Sequence, residues 1–486
     1  GCANMRRILN RLVGSAALFL VTGAAYAQTL VITNLAAQPP QVVRLGWVPT
    51  TNAYIVARSP VLSTGEFQYV GSSVLFTNVA TVTNEEALSF FRVREVRVVD
   101  FPDPNLKSAV TNAITNWFAP VGPIYDINLE GIRTLNCCSR GITNAEGLNA
   151  LGNLAMLQCY ENGLTNLDAC GWAGLKHLEC NDNQLRALNL TGCARLSYLY
   201  CHNNQLASLD LTDCTNLFFL SCYNNMLATL DLTSCPGLWF VACGGNQLTA
   251  LNVMGYTNLS ILYCDHNLLT NMNISGCVKL SQLECFNNQL TNLNVAGYSH
   301  LTELQCSDNQ LAGLDIEGCT NLNWLTCAFN HLAGMDVAGR TNLTWLECES
   351  NQLTNLNVSG CANLEVLTCY NNQLTNLNLL GLFDLQNLTC DNNQLRNLTL
   401  SVCTNLSWLT CGNNQLRNLP LSGFSALHEL DCQINHLTNL NVGGCANLAN
   451  LYCFNNDLTN LNVSDATNLV YLYCQENLLG GLLNVS

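Results

Sequence analysis

Residues 345–361 read WLECESNQLTNLNVSGC. Leu346 and Cys348 alternate with Trp345, Glu347 and Glu349, the two-residue period of an extended strand with one face turned inward. Leu356 and Val358 repeat the alternation further on, and Ser350, Asn351 and Gln352 lie between, where the chain has to turn. Steps of 21 residues from Cys348 meet a cysteine at every stop, back to Cys159 and on to Cys474. The frame is L-x-x-L-x-C-x-x-N-x-L-T-x-L-N-V-S-G-C-x-N, and its sixteen turns follow one another without an insertion. Leucine opens each turn from Leu154 to Leu469, and asparagine follows each cysteine by three residues from Asn162 to Asn477. One earlier turn, spaced by 22, carries Leu135, Cys137 and Ile142, with Arg140 in the asparagine place. So short a period leaves no room for a helix. It predicts a mainly β solenoid over residues 135–486, about 16–17 coils with two parallel sheets facing across a narrow core.

The asparagine column belongs at the corner of each coil, where an amide satisfies turn backbone groups and stacks on its copies. The column cysteines admit several readings. Opposite them stand bulky residues such as Leu190, Val253 and Ile316, so a small apolar side chain lets the sheets close up. A ladder of disulfides is the sharper alternative, since coils about 4.8 Å apart bring Cα atoms into range. Parallel stacking points identical side chains the same way, however, which suits the disulfide torsion poorly. A second column, Cys277, Cys319, Cys361, Cys403 and Cys445, recurs in every other turn, alternating with Tyr256, Tyr298, Arg340, Leu382 and Phe424. At two coil steps, about 9.6 Å, those cysteines are beyond disulfide reach, which favours packing.

The frame resembles the leucine-rich repeats of bacterial internalin-like surface proteins, in the short form where cysteine replaces the third leucine. FPDPNL (101–106) and the turn GITNAEGL (141–148) look like the N-terminal cap of such proteins. The resemblance implies a scaffold whose ligands vary from member to member. Within that cap, 99–134, Asp103 is placed to cap a helix that Pro104 opens, with Leu106, Val110, Ile114 and Phe118 on one face. Residues 28–98 alternate in short runs such as VVRLGW (42–47), AYIVARS (53–59) and SFFRVREV (89–96), which predict a small β-sandwich. With Trp47 on a strand, the segment loosely resembles fibronectin type III-like modules. Upstream residues and a leader fill 1–27: Arg6, Arg7 and Arg11 precede an apolar run, and the small-residue pattern Ala25, Tyr26, Ala27 follows. That is the signature of a secretory signal peptide cleaved near Ala27, so the protein is expected outside the cell or at its surface. No later apolar stretch is long enough for a membrane span. The end, NLLGGLLNVS (477–486), stops inside a turn without the polar cap that solenoid ends need, so a continuation or a pairing partner is expected.

A net charge of -15 excludes nucleic acid and anionic membrane surfaces as partners. No motif for phosphate, dinucleotide or metal binding appears, and neither does a nucleophile elbow; no catalytic residue, cofactor or metal is expected. His177 and Glu179 share an outward face but have no cavity around them, so an enzyme is the least favoured reading. The informative positions are the three outward columns flanking L-x-C. Aromatics hold a third of those places, against 8 % of the whole chain. Among them are Tyr198, Phe219, Trp324, Trp345, Trp408 and Tyr471, then Tyr200, Tyr452 and Tyr473, then Phe454. Glu347 and Glu349 flank Trp345, acids recur along all three columns, and lysine and arginine are absent. These twelve residues form the candidate ligand-binding face, with Trp324 beside Trp345 and the terminal aromatic group as anchors. The reading is an exported, non-enzymatic binding or adhesion protein whose ligand is a protein, peptide or glycan, uncharged or cationic. The alternative is a surface spacer in which the rings only stack on one another and stiffen the sheet.

Overall fold

The computed structural model describes residues 97–114 and 123–480 in full and, before them, the backbone of the strands Phe19–Leu20, Asn34–Gln38, Val42–Gly46, Ala53–Ser59, Gln68–Tyr69, Val79–Thr83 and Phe90–Val96. The fold is mainly β, a parallel solenoid of about 16 turns with very few helices. It divides into two compact units, residues 1–164 with 171–175 and residues 165–170 with 176–486.

In the first unit, the runs singled out in 28–98 form strands. Asn34–Gln38, Val42–Gly46 and Val79–Thr83 pair antiparallel in one sheet. Ala53–Ser59 pairs antiparallel with Phe90–Val96 and Gln68–Tyr69 in another, which Phe19–Leu20 joins in parallel. Those two residues are the only described part of the expected leader; Trp47 and Phe118 also lie outside the described residues. Helix α1, Pro104–Ala113, starts where Asp103 Oδ1 accepts the N–H groups of Asn105 and Leu106 at 2.9 and 3.0 Å. The other oxygen, Oδ2, accepts the Thr143 N–H at 2.9 Å, which ties the cap to the first turn of the repeat. Four donors hold this carboxyl below its usual range despite the opposing effect of burial. Leu106, Val110 and Ile114 are buried, and a second short helix α2, Asp126–Leu129, follows. Strands Thr134–Asn136 and Met156–Gln158 then pair in parallel with Leu135 against Leu157.

In the second unit a parallel ladder runs unbroken from His177–Glu179 to Tyr471–Tyr473, each strand three residues long and each register shifted by 21, as in Leu199 against Leu220. The opposite side is less continuous than the repeat predicts. It forms four separate two-stranded pieces, Asn166–Asp168 with Ala187–Asn189, Ala250–Asn252 with Asn271–Asn273, Gly334–Asp336 with Asn355–Asn357, and Asn439–Asn441 with Asn460–Asn462. The strands there end at the outward Asn or Asp, which accepts the N–H two residues on, as Asn357 does from Ser359 at 3.2 Å. That local bond competes with the ladder.

The corner residue two places after each column cysteine has a left-handed backbone, for example Asn371 and Asn392 with φ 53°. The asparagine beyond it closes the corner. Asn351 Nδ2 donates to the carbonyls of Cys327, Cys348 and Glu349 at 3.0 to 3.1 Å, while its Oδ1 accepts the Leu332 N–H at 3.0 Å. Each such amide therefore bonds its own coil and the preceding one, and the pattern recurs from Asn204 to Asn477.

The two cysteine columns differ. Column cysteines such as Cys201, Cys306 and Cys348 are fully buried free thiols. Burial pushes the thiols of Cys201 and Cys306 up to about 12, which suppresses the thiolate needed for nucleophilic or metal chemistry. The second column is more than filling. Cys277, Cys319, Cys361 and Cys445 aim Sγ at the carbonyls of Val253, Val295, Val337 and Leu421, 3.1 to 3.2 Å away. Where the cysteine is replaced, Tyr256 and Tyr298 donate a hydroxyl to Leu232 and Ile274, and Arg340 donates Nη2 to Ile316. Packing alone is the expectation; the structure adds a donor role, a second hydrogen bond to carbonyls that already accept a backbone N–H three residues on, as Val337 does from Arg340 at 3.2 Å. Strict alternation also fails earlier in the chain, where Cys193, Cys214 and Cys235 occupy consecutive turns.

Candidate functional site

Side chains on either side of each inward Leu and Cys project outward from the long ladder, so the repeat itself sets their columns. Trp324 and Trp345 lie opposite one another in adjacent strands. Their rings stack with centroids 4.4 Å apart and planes within 5°. Trp324 is 36 % exposed, whereas the Nε1 of Trp345 is buried without a hydrogen-bond partner. Glu347 is half-buried beside them.

Glu349 departs from its expected role as an exposed acceptor. It is only 8 % exposed, its neighbour Ala328 in the column is too small to hold it out, and its Oε2 has no partner. Burial, with Glu347 and Asp308 nearby, pushes its carboxyl up to about 7. Burial similarly raises Glu284 to about 7, helped by Asp265 and Glu303.

At the terminal group Tyr452 and Tyr473 stack at 5.2 Å, Tyr471 is 55 % exposed and Phe454 is half-buried. Trp408 stands exposed on its strand, between Asn387 and Glu429. Tyr198, Tyr200 and Phe219 join a larger stack: Tyr200 meets Phe219 at 4.7 Å and Phe219 meets Phe240 at 4.2 Å. The outward-column reading missed two members, Phe218 and Trp239, exposed and parallel at 5.9 Å. They sit one residue before the strands, in the doublets FF and WF, a signal that strand alternation does not register. The structure thus gathers the twelve residues along one face but in separate clusters. His177 and Glu179 form a 2.6 Å hydrogen bond at the edge of the aromatic stack.

Among the described residues no group of three His, Cys, Asp or Glu side chains could hold a metal, and no helix is long and apolar enough to cross a membrane.

No protein-family model and no curated protein matches the chain. Solved structures do. The functional domain of InlJ from Listeria monocytogenes, which includes a cysteine ladder, shares 29 % identity at a TM-score of 0.64, covering 75 % of this chain and 77 % of that one. An internalin, InlF, also from Listeria monocytogenes, matches at 22 % identity and 0.52, over 68 % of this chain and 95 % of its own. The plant peptide hormone receptor RGFR1, solved in complex with RGF2, matches at 23 % and 0.63 over 72 % and 64 %. The last two show the fold alone. With its 21-residue period and its cysteine column, the chain has the leucine-rich-repeat solenoid fold and is similar to the internalins.

Proposed function

We propose that the protein is an exported, non-enzymatic binding or adhesion protein that captures a protein or peptide partner on its aromatic and acidic face. The observation that carries this reading is the stacked, half-exposed pair Trp324 and Trp345 on a rigid ladder whose three outward columns bear carboxyls and no lysine or arginine. Such rings present apolar area at little cost in side-chain entropy. The leader-like segment 5–27 supports export, and a separate small β module at 28–98 is part of the same reading. Peptide and glycan arrays probed with the mature chain test it. A peptide hit lost in Trp324→Ala with Trp345→Ala, while the circular dichroism spectrum stays β-rich, supports the reading. A glycan-only hit replaces the ligand class. Retained binding with a collapsed melting temperature makes the rings packing groups and the protein a spacer.

A further inference from the structure

The second unit has an edge that belongs to neither sheet, where the L-N-V side turns back into the ladder. Two columns run along it, one residue before and one residue after the leucine that opens each coil. Backbone bonds hold the later column in step: the Ser197 N–H donates to the Lys176 carbonyl and the Gln386 N–H to the Glu365 carbonyl, both at 2.9 Å. Charge along this edge is segregated. In these two columns the unit places its lysines and arginines early, as Lys176, Arg195 and Lys279, and its acids late, as Glu365 and Asp384. All five are exposed. The pair Lys176 and Arg195 recurs at equivalent positions nine coils later with its sign inverted, as Glu365 and Asp384.

The same edge is also apolar in places. Phe218 and Trp239, in the column after the leucine, stack in parallel and stay exposed; Val278 and Phe383, beside Lys279 and Asp384, are 60 % and 58 % exposed. Lys176, Arg195, Glu365 and Asp384 enter no ion pair among the described residues. Single exposed rings and charges are ordinary on a protein surface. A repeat that sorts the two signs to opposite ends of one line, with apolar groups between and beside them, is not.

From this placement we infer that the edge is a self-association surface on which two copies of the chain lie antiparallel, Lys176 and Arg195 of each facing Asp384 and Glu365 of the other. The spacing sets the register. The coil of Lys176 lies as far before the coil of Leu280 as that of Asp384 lies after it, and the coils of Arg195 and Glu365 are equally balanced. A two-fold axis at Leu280 therefore closes the pair and brings Val278 against its own copy. Lys279, next to the axis, is drawn toward the preceding coil by donating Nζ to Asn258 Oδ1 at 3.0 Å. A parallel pairing in register sets like charges together, and a net charge of -15 opposes any contact between copies that lacks local attraction. An acidic partner of another kind engages only one end of the edge. The contact spans about 48 Å by coil rise and is narrow, which predicts a weak, salt-sensitive dimer. It uses none of the ladder's three outward columns, so it goes beyond the docking reading and does not depend on it.

Sedimentation equilibrium of the full chain, over about 5 to 200 μM and at about 20 and 500 mM sodium chloride, tests it. A monomer–dimer equilibrium at low salt that weakens at least tenfold at high salt is expected. Lys176→Glu with Arg195→Glu, and separately Glu365→Lys with Asp384→Lys, should each weaken self-association at least tenfold while the circular dichroism spectrum stays β-rich. Mixed one to one, those two variants should pair again, because one carries acids at both ends of the edge and the other carries lysine or arginine at both. A chain that stays monomeric at low salt, association that ignores both reversals, a mixture that does not pair, or growth beyond the dimer overturns the proposal. Trp324→Ala with Trp345→Ala should leave the dimer intact, which keeps this result apart from that of the arrays.

Discussion

The two sides of each coil obey the same inward rule and differ in what they show to solvent. On the ladder from His177–Glu179 to Tyr471–Tyr473 the outward places hold rings, acids, amides and glycines in changing combinations. On the L-N-V side one outward column is Asn or Asp in nearly every coil, from Asp168 to Asn462, and the other is small or polar. Those Asn and Asp oxygens are already engaged by the N–H two residues on, as in Asp210 with Thr212 and Asn441 with Gly443. One side consumes its polar groups in holding its turns, and the other leaves them free to vary. A repeat that varies on one face only has its opportunity for recognition there.

The comparison breaks first at the corner both sides share. Asn351→Leu takes one of two donors from each of three carbonyls and leaves the Leu332 N–H without its acceptor, and should cost about 3 kcal/mol, whereas Ser350→Ala should cost far less. Equal melting shifts would show that the asparagines are not what joins the two sides.

Acidity should act through the L-x-C side. Glu284 and Glu349 have folded pKa values raised to about 7 from 4.5, so the folded chain holds protons that the unfolded chain has released. Their contribution is complete below pH 4.5 and is lost as pH rises through about 7. The melting temperature should therefore climb from pH 8 to pH 5.5, by roughly 1 to 3 kcal/mol in stability, and Glu349→Gln should flatten the slope. A slope unchanged in that variant would place the titration elsewhere.

A smaller effect separates the cysteine columns. Cys361→Ala removes the second donor to the Val337 carbonyl, which keeps the Arg340 N–H, and should cost about 1 kcal/mol; Cys361→Ser keeps a donor and should cost less. If alanine and serine shift the melting point alike, that column is packing alone. Smallest of all, Asn355→Ala with Asn376→Ala on the exposed L-N-V side should move stability by under about 0.5 kcal/mol and leave array binding intact. Lost binding in that pair would move the docking face to the wrong side.

Much of this was legible before any coordinates. The 21-residue period gave the coil, the alternation gave its inward set, and Asp103 with Pro104 gave the start of α1. The pairing of Trp324 with Trp345 was legible too, because identical coils bring equivalent positions together. Glu349 was misjudged, since its burial depends on the small Ala328 beside it. Phe218 and Trp239 were missed because they precede the strands whose alternation guided the reading.

The sequence by itself determined the period, the inward columns and the corner residues, because each follows from strict repetition along the chain. Tertiary structure alone decided which outward groups are free. The burial of Glu349 beside Ala328, the stacking of Tyr200 on Phe219 and the carbonyl that Cys361 finds all join residues of different coils. Their chemistry depends on distances of a few ångströms between side chains, and a one-dimensional pattern fixes which coils are neighbours but not where those side chains point.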